Sequence, residues 1–191
     1  LLDPSGETIE VINAGVPGYS AYQGLQFLKE DGLALEPDVV IASFGINDHV
    51  PWDGISDLDR AEAATQGDLD ELVKAAKGEE RPRLSPDEFL RVIETLEGLC
   101  GEHGIAFVLV AWPESGVLSA APDVGDVGYL RFIRQAGERM GVPVADIVPV
   151  LRANPEFLID GCHFNAAGCR SVAETIAGLL SREGLLPEHA P

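Results

Sequence analysis

Short apolar runs alternate along the chain with longer segments that carry a single apolar stripe, which is the pattern of strands alternating with helices. Residues 8–13 predict a strand, and the residues from Ser20 onward predict a helix. After Pro37, the continuous apolar run Val39–Ala42 predicts a strand buried on both faces of a sheet. The first part of the chain therefore predicts two strands with a helix between them.

The second half of the chain begins with a helix-start signal. Ser85 can cap a helix, Pro86 suits its first position, and Glu88 stands three residues after the serine. This helix is predicted to stop near Gly104. The elements predicted after it are a strand at 105–111, a helix at Tyr129–Met140, a strand at 142–147 and a final helix capped by Asn165.

The order of these elements predicts an α/β fold with a mostly parallel sheet covered by helices on both sides. At 191 residues with 46% hydrophobic content, the chain suits one domain, 1–191. Ligands bind such sheets beyond the carboxyl ends of the strands. Gly15, Asn47 and the loop that holds Asp160 and His163 should therefore converge at that end.

The candidate chemistry rests on three separate segments. Asp160 and His163 stand three residues apart, a spacing that lets a carboxylate orient a general-base histidine. The segments around Gly15 and Asn47 each follow a predicted strand and can supply hydrogen-bond donors to a developing oxyanion. Taken singly, each has an ordinary explanation: a turn glycine, a loop-closing asparagine, or a helix-capping Asp-x-x-His. Together, and in this order, they point to a hydrolase.

These segments resemble the second, third and fifth conserved blocks of the SGNH hydrolases, also called GDSL-type esterases and lipases. They read Asn13-Ala14-Gly15, Gly45-Ile46-Asn47-Asp48 and Asp160-Gly161-Cys162-His163. The resemblance covers nearly the whole chain and implies a three-layer α/β/α, doubly wound, flavodoxin-like fold. It implies that the Gly15 N–H and the Asn47 amide form the oxyanion hole. It also implies that His163 activates a serine and that Asp160 orients His163. The substrate would be a small-molecule, carbohydrate or lipid ester, and no metal or organic cofactor is implied.

The nucleophile is missing from these matches. In the family it lies in a Gly-Asp-Ser block after the first strand, but only seven residues precede Thr8 here, and a strand with its crossover needs about a dozen or more. We therefore expect the serine and the first strand upstream of Leu1, and we expect the chain 1–191 alone to be poorly stable and inactive. Ser20 is expected to be a helix cap, and Ser43 a hydrogen-bonded hydroxyl inside a buried strand.

Charge narrows the choice of partner. The chain has 32 acidic and 13 basic residues, for a formal net charge of −19. Such a balance disfavours nucleic acid and anionic membranes, which bind clustered Lys and Arg. No apolar run approaches the roughly 20 residues that span a bilayer. Localisation and oligomeric state stay open.

Several residues near the expected site keep alternative interpretations. Segment 50–83 is acidic and follows Asn47 directly, so it is either a lid or substrate-selecting insertion or a solvated helix and loop. His49 is a rival base, but a cleft-lining or surface position is favoured for it. Trp52 and Trp112 either stack on substrate or pack. Cys100 is expected to be a buried thiol, and pairing of Cys162 with Cys169 is open but disfavoured.

Two functions remain besides ester hydrolysis. The same residues would serve a carbohydrate O-acyltransferase, which differs only in the acceptor that resolves the acyl-enzyme. A non-catalytic binding module would have kept the pocket and lost the nucleophile.

Overall fold

A computed structural model describes residues 9–51, 53–113, 129–160 and 163–186. Three strands lie in this part of the chain: β1 (Val39–Ala42), β2 (Ala106–Ala111) and β3 (Val144–Asp146). The α-helices there are α1 (Ala21–Glu30), α2 (Ile46–His49), α3 (Asp57–Gln66), α4 (Leu69–Ala75), α5 (Pro86–Glu102), α6 (Tyr129–Met140), α7 (Val148–Ala153) and α8 (Ala166–Arg182). Short 3-10 helices occupy Gly32–Leu35 and Pro155–Phe157.

The three strands form a parallel sheet in the order β1-β2-β3. Val40 is in register with Phe107, and Val110 is in register with Ala145. Parallel neighbours need a helical crossover between them, and α5 and α6 provide the two crossovers. The expected α/β architecture is confirmed.

The central strand β2 divides two hydrophobic cores. Phe107 and Leu109 face one core, which is shared with α1, α5 and α6. Val108 and Val110 face the other, which is shared with α7 and α8. Because successive side chains of a strand point to opposite faces, this one apolar run packs against both helical layers. The three-layer arrangement is therefore confirmed.

The predicted helix starts also agree with the structure. Ser85 and Glu88 form a reciprocal capping box at the start of α5, and Pro86 is its first residue. The side chain of Asn165 accepts a hydrogen bond from the Gly168 N–H at 2.9 Å and caps α8. Each cap satisfies backbone donors that have no partner within the helix.

The strand predicted at 8–13 is wrong for the residues that the structure describes, which exclude Thr8. Ile9 to Asn13 have no regular secondary structure, and Val11 is 80% exposed. A strand needs a neighbour to hydrogen-bond with, and the described sheet ends at β1 on this side. The apolar pattern alone could not supply that neighbour.

Burial of β1 on both faces is also wrong, since Ile41 is 43% exposed. In the described part of the sheet β1 is an edge strand, paired with β2 alone. Ser43 follows the end of β1 and is exposed, so it is not the core hydroxyl that we expected. The helices therefore cover the central strand β2 on both faces but leave the side chain of Ile41 in β1 exposed.

Segment 50–83 is more regular than its sequence suggested, because it contains α3 and α4. The two ends of the segment lie next to each other, because Pro51 and Pro82 form an antiparallel bridge. In addition, the Leu84 N–H donates to the Asp48 carbonyl at 3.0 Å. Among the described helices, none is long and apolar enough to cross a membrane.

Candidate active site

Gly15 lies in an exposed loop that leads into α1. Its N–H donates to the side-chain oxygen of Asn13 at 3.0 Å, so a neutral acceptor within the same loop occupies this donor. The loop then turns tightly, since the Tyr19 N–H donates to the Val16 carbonyl at 3.2 Å. Gly18 has a φ of +83° within this turn, a conformation that favours glycine.

Asn47 lies in α2, just after the carboxyl end of β1. Its side-chain nitrogen donates to the Tyr19 carbonyl at 3.1 Å. A carboxamide has two N–H donors, so one can hold the Gly15 loop while the other serves a substrate oxygen. The structure thus joins Asn47 to the loop that carries Gly15.

Asp160 and His163 form a compact pair. The Nδ1 atom of His163 lies 2.9 Å from Oδ2 of Asp160, and the His163 backbone N–H donates to Oδ1 at 2.9 Å. Both side chains are exposed, by 75% for the histidine and 55% for the aspartate. The spacing in the sequence therefore corresponds to a direct contact.

Residues 157–160 and 163–165 form the two sides of a hairpin that carries this pair. Leu158 and Phe164 form an antiparallel bridge, and the Ile159 N–H donates to the His163 carbonyl at 2.8 Å. The ring of Phe164 lies against Trp112, with centroids 4.4 Å apart. Since Trp112 directly follows β2, the hairpin is attached at the carboxyl end of the central strand.

The four predicted site residues thus fall into two groups, both of which lie beyond the carboxyl ends of the strands. Gly15 and Asn47 are connected through Tyr19 beyond β1, and Asp160 and His163 follow β3 and are anchored beyond β2. Carboxyl ends of parallel strands share an edge, which is where convergence was expected. The structure brings together the members of each group.

Asp48 is a member of the site region to which the sequence assigned no role. It is 0% exposed, and its carboxylate accepts hydrogen bonds from the Ala21 N–H at 2.7 Å and the Gly45 N–H at 2.8 Å. Burial raises the pKa of Asp48 to about 6, against the opposing effect of these hydrogen bonds and of Arg83. Asp48 therefore fastens α2, and with it Asn47, to the start of α1.

Arg83 is the second buried charge that sequence reasoning missed, with only 9% of its surface exposed. It donates to the Gly18 carbonyl at 2.6 Å and to Asp57 at 2.9 Å. Nothing in its local sequence distinguishes it from Arg81, which is an exposed neighbour. Only a long-range contact reveals it.

The same packing also shifts the pKa values of two nearby residues, Tyr129 and Glu88. The Tyr129 hydroxyl donates to the Leu84 carbonyl, and burial together with the charges of Asp48 and Glu88 raises the pKa of Tyr129 well above its usual range. Burial favours a higher pKa for Glu88 as well, but hydrogen bonds from Ser85 and Ser56 and the Arg81 charge outweigh it, so the pKa of Glu88 is lowered.

The contacts and burial of the remaining candidate residues indicate the structural role of each. Ser20 is fully buried, caps α1 and donates to Asp57, so its expected role as a cap is confirmed. Nδ1 of His49 lies 3.2 Å from the Gly45 carbonyl. Trp112 packs rather than standing free. Cys100 is a buried free thiol, as expected, and Cys169 is a free, exposed one.

The predictions for Trp52 and Cys162 fall on residues outside the described ranges. Within the ranges that are described, no group of three or more His, Cys, Asp or Glu residues is arranged to hold a metal ion.

Comparison with known proteins identifies the family. A sequence profile of the GDSL-like Lipase/Acylhydrolase family matches residues 2–170. No curated protein matches the chain significantly in sequence.

Solved structures of three esterases and lipases resemble this fold. An acetyl xylan esterase is 21% identical with a TM-score of 0.63, and the match covers 88% of this chain and 80% of that one. A lipase/acylhydrolase from Enterococcus faecalis is 24% identical with a TM-score of 0.61, covering 94% and 79%. An acetylxylan esterase from Geobacillus stearothermophilus is 18% identical with a TM-score of 0.58, covering 89% and 71%. The chain belongs to the GDSL-like lipase/acylhydrolase family, the SGNH hydrolases, and is a carboxylic ester hydrolase.

Proposed function

We propose that the protein hydrolyses carboxylic esters through a serine nucleophile, with His163 as general base and Asp160 as its orienting acid. The contact between these two side chains is the observation that carries the proposal. Since Nδ1 faces the carboxylate, Nε2 is the nitrogen that exchanges protons with the serine. The carboxylate fixes that tautomer and stabilises the imidazolium that forms.

The reaction then proceeds in two halves. Nε2 of His163 takes the serine proton as the serine oxygen bonds to the ester carbon, and the carbonyl becomes an oxyanion. The Gly15 N–H exchanges its Asn13 acceptor for this oxyanion, and Asn47 donates its second amide hydrogen. Collapse of the intermediate expels the alcohol, which takes the proton from His163. Water, activated by the same base, then releases the acid and restores the serine.

We place the nucleophile upstream of Leu1, on the basis of the family's Gly-Asp-Ser block. Ser20 does not suit the role because its hydroxyl is buried against Asp57. Ser43 is the alternative that the structure raises, because it is exposed just before α2, the helix that carries Asn47. Ser43→Ala separates these assignments: it should leave the rate unchanged if the nucleophile lies upstream.

Short acyl esters of carbohydrates are the substrates that we propose to test first. Two of the similar structures are acetyl xylan esterases, and a net charge of −19 suits a neutral substrate better than an anionic one. Acetylated xylo-oligosaccharides should be compared with acetate esters of simple alcohols.

The test is hydrolysis of p-nitrophenyl acetate by the intact protein, including the upstream residues. His163→Ala should lower kcat by about 10³-fold or more. His103→Ala is a matched control, because this exposed histidine at the end of α5 lies away from the site and bonds to the Leu99 carbonyl. Equal rates for the wild type and His163→Ala would refute the proposal. Loss of activity in His49→Ala with full activity in His163→Ala would instead make His49 the base.

A further inference from the structure

Arg83 occupies an unusual position for a cation. It stands where segment 50–83 returns to α2, and its side chain is only 11% exposed. Burying a charge is costly unless it is paired and hydrogen-bonded. Arg83 meets that condition with partners that lie far apart in the sequence, so its contacts show what the buried charge connects.

The guanidinium of Arg83 joins three elements. One nitrogen donates to the Gly18 carbonyl at 2.6 Å. Another donates to the Gln23 side chain in the first turn of α1 at 2.5 Å and to Asp57 at the start of α3 at 2.9 Å. The Arg83 carbonyl in turn accepts from the Asp57 N–H at 2.8 Å. A planar fork with fixed donors holds such partners in a defined geometry.

Two backbone carbonyls in these contacts belong to the loop that carries Gly15, the proposed oxyanion donor. Arg83 holds the carbonyl of Gly18, and Asn47 holds the carbonyl of the next residue, Tyr19. The turn therefore receives one hydrogen bond from the proposed oxyanion-hole amide and one from the guanidinium. Its position relative to Asn47 depends on both.

The other end of Arg83 is fixed to the same helix as Asn47. The next residue, Leu84, donates its N–H to the carbonyl of Asp48, and the bridge between Pro51 and Pro82 closes the segment just before it. These contacts form a closed circuit. Asn47 is linked through its neighbour Asp48 to Leu84 and Arg83. Arg83 is linked back to Asn47 through Gly18 and Tyr19.

We propose that Arg83 is a positioning residue, which fixes the loop formed by residues 15–19 relative to Asn47 and so sets the geometry of the oxyanion hole. This inference rests on the proposed function. It also gives segment 50–83 a structural role, because Arg83 and Asp57 in this segment hold the loop that carries Gly15 in place.

The test compares Arg83→Met and Arg83→Lys with Arg81→Met in the intact protein. Arg81 lies in the same segment, is 44% exposed and pairs with Asp59, so its variant controls for loss of a positive charge. Arg83→Met should lower kcat about tenfold to hundredfold with little change in KM, since a displacement of about 1 Å at a reacting centre costs up to about 10²-fold. Arg83→Lys should be intermediate. It keeps the charge and the aliphatic stem, so it serves as the test if Arg83→Met does not fold.

A double-mutant cycle separates positioning from mere stabilisation. Asn47→Ala alone should cost about 10²–10³-fold in kcat. If Arg83 acts through the oxyanion hole, Arg83→Lys should cost less than about threefold in the Asn47→Ala background. Equal factors in both backgrounds, or a lower melting temperature with unchanged kcat, would overturn the proposal.

The two proposals fail in different ways. If His163→Ala is as active as the wild type, the proposed function fails. If His163→Ala is inactive while Arg83→Lys and Arg83→Met match Arg81→Met in kcat, ester hydrolysis stands and only the role of Arg83 is lost.

Discussion

The ring of Phe164 stacks on Trp112 with centroids 4.4 Å apart, and this contact ties the residue after His163 to the end of the central strand. Both side chains are partly buried and pack against the core that α7 and α8 cover. Asp160 and His163, the proposed acid and base, are exposed to solvent, but the hairpin that holds them is anchored by this packing.

Removal of this anchor should affect catalysis more than binding. Phe164→Ala should cost about 2 kcal/mol of stability from lost apolar burial and ring contact. It should also lower kcat about tenfold, because the hairpin can then shift relative to the proposed oxyanion donors. Phe132→Ala is the control, since this half-buried ring packs in the opposite core. Comparable losses of kcat in the two variants would contradict the anchoring role.

The buried Asp48 predicts a specific dependence of stability on pH. Its pKa is raised by burial from 3.8 to about 6, so the folded state binds its proton more tightly than the unfolded state does. The stabilising contribution is complete below the unfolded pKa and is lost as the pH rises through about 6. A change of this size corresponds to at most about 3 kcal/mol.

The measurement is urea unfolding of the wild type and of Asp48→Asn between about pH 4 and pH 7. Taking the difference between the two proteins removes the contribution of the other carboxylates. The stability of the wild type relative to the variant should fall between about pH 4 and pH 6 and then level off toward pH 7. A constant difference would show that Asp48 keeps an ordinary pKa.

Gly137 predicts a steric limit where α6 crosses β3. A Cβ added there would come within 2.2 Å of Val144 Cγ2. Gly137→Ala should therefore destabilise the fold by about 1–3 kcal/mol. Gly98→Ala on α5 is the matched control, because a Cβ there meets nothing within 4 Å. That variant should gain up to about 1 kcal/mol from helix propensity. Denaturant midpoints should move in opposite directions, and movement in the same direction would show that α6 can shift.

The cysteines predict selective labelling. Burial, and then the charge of Glu97, raises the pKa of Cys100 to about 11, which leaves about one thiolate in a thousand at pH 8. Cys169 is exposed. A thiol reagent at pH 8 should therefore label Cys169 rapidly in the native protein and Cys100 only after unfolding. Mass spectrometry of peptides from Cys169→Ser provides the control, and rapid native labelling of Cys100 would mean that α5 opens readily.

Local rules predicted the parts of the fold that depend on neighbours in sequence. The cap formed by Ser85 and the pairing of Asp160 with His163 each involve residues three positions apart, so their spacing carries the geometry. The apolar run of β2 could be recognised because both of its faces meet a core. In these places the local pattern and the tertiary structure impose the same requirement.

Interactions between distant segments could not be predicted in this way. Residues 8–13 have the pattern of a strand, but pairing is a property of two segments, and the pattern describes only one. Arg83 and Gly18 are 65 positions apart, and no periodicity marks which of two nearby arginines is buried. For the same reason the burial of Asp48 was missed: a carboxylate beside Asn47 gives no sign that two backbone N–H groups from elsewhere will solvate it.

The hairpin holds the proposed acid and the proposed base, Asp160 and His163, on one short segment of the chain. Both oxygens of Asp160 contact His163, and backbone hydrogen bonds from Ile159 to His163 and from Asn165 to Phe157 join the two sides of the hairpin. The contact between the imidazole and its carboxylate therefore belongs to one short segment, whereas the distance from that segment to the proposed oxyanion donors depends on the packing of Phe164 against Trp112. Changes on the flanks of the segment can alter the space for an acyl group while the contact between Asp160 and His163 is kept.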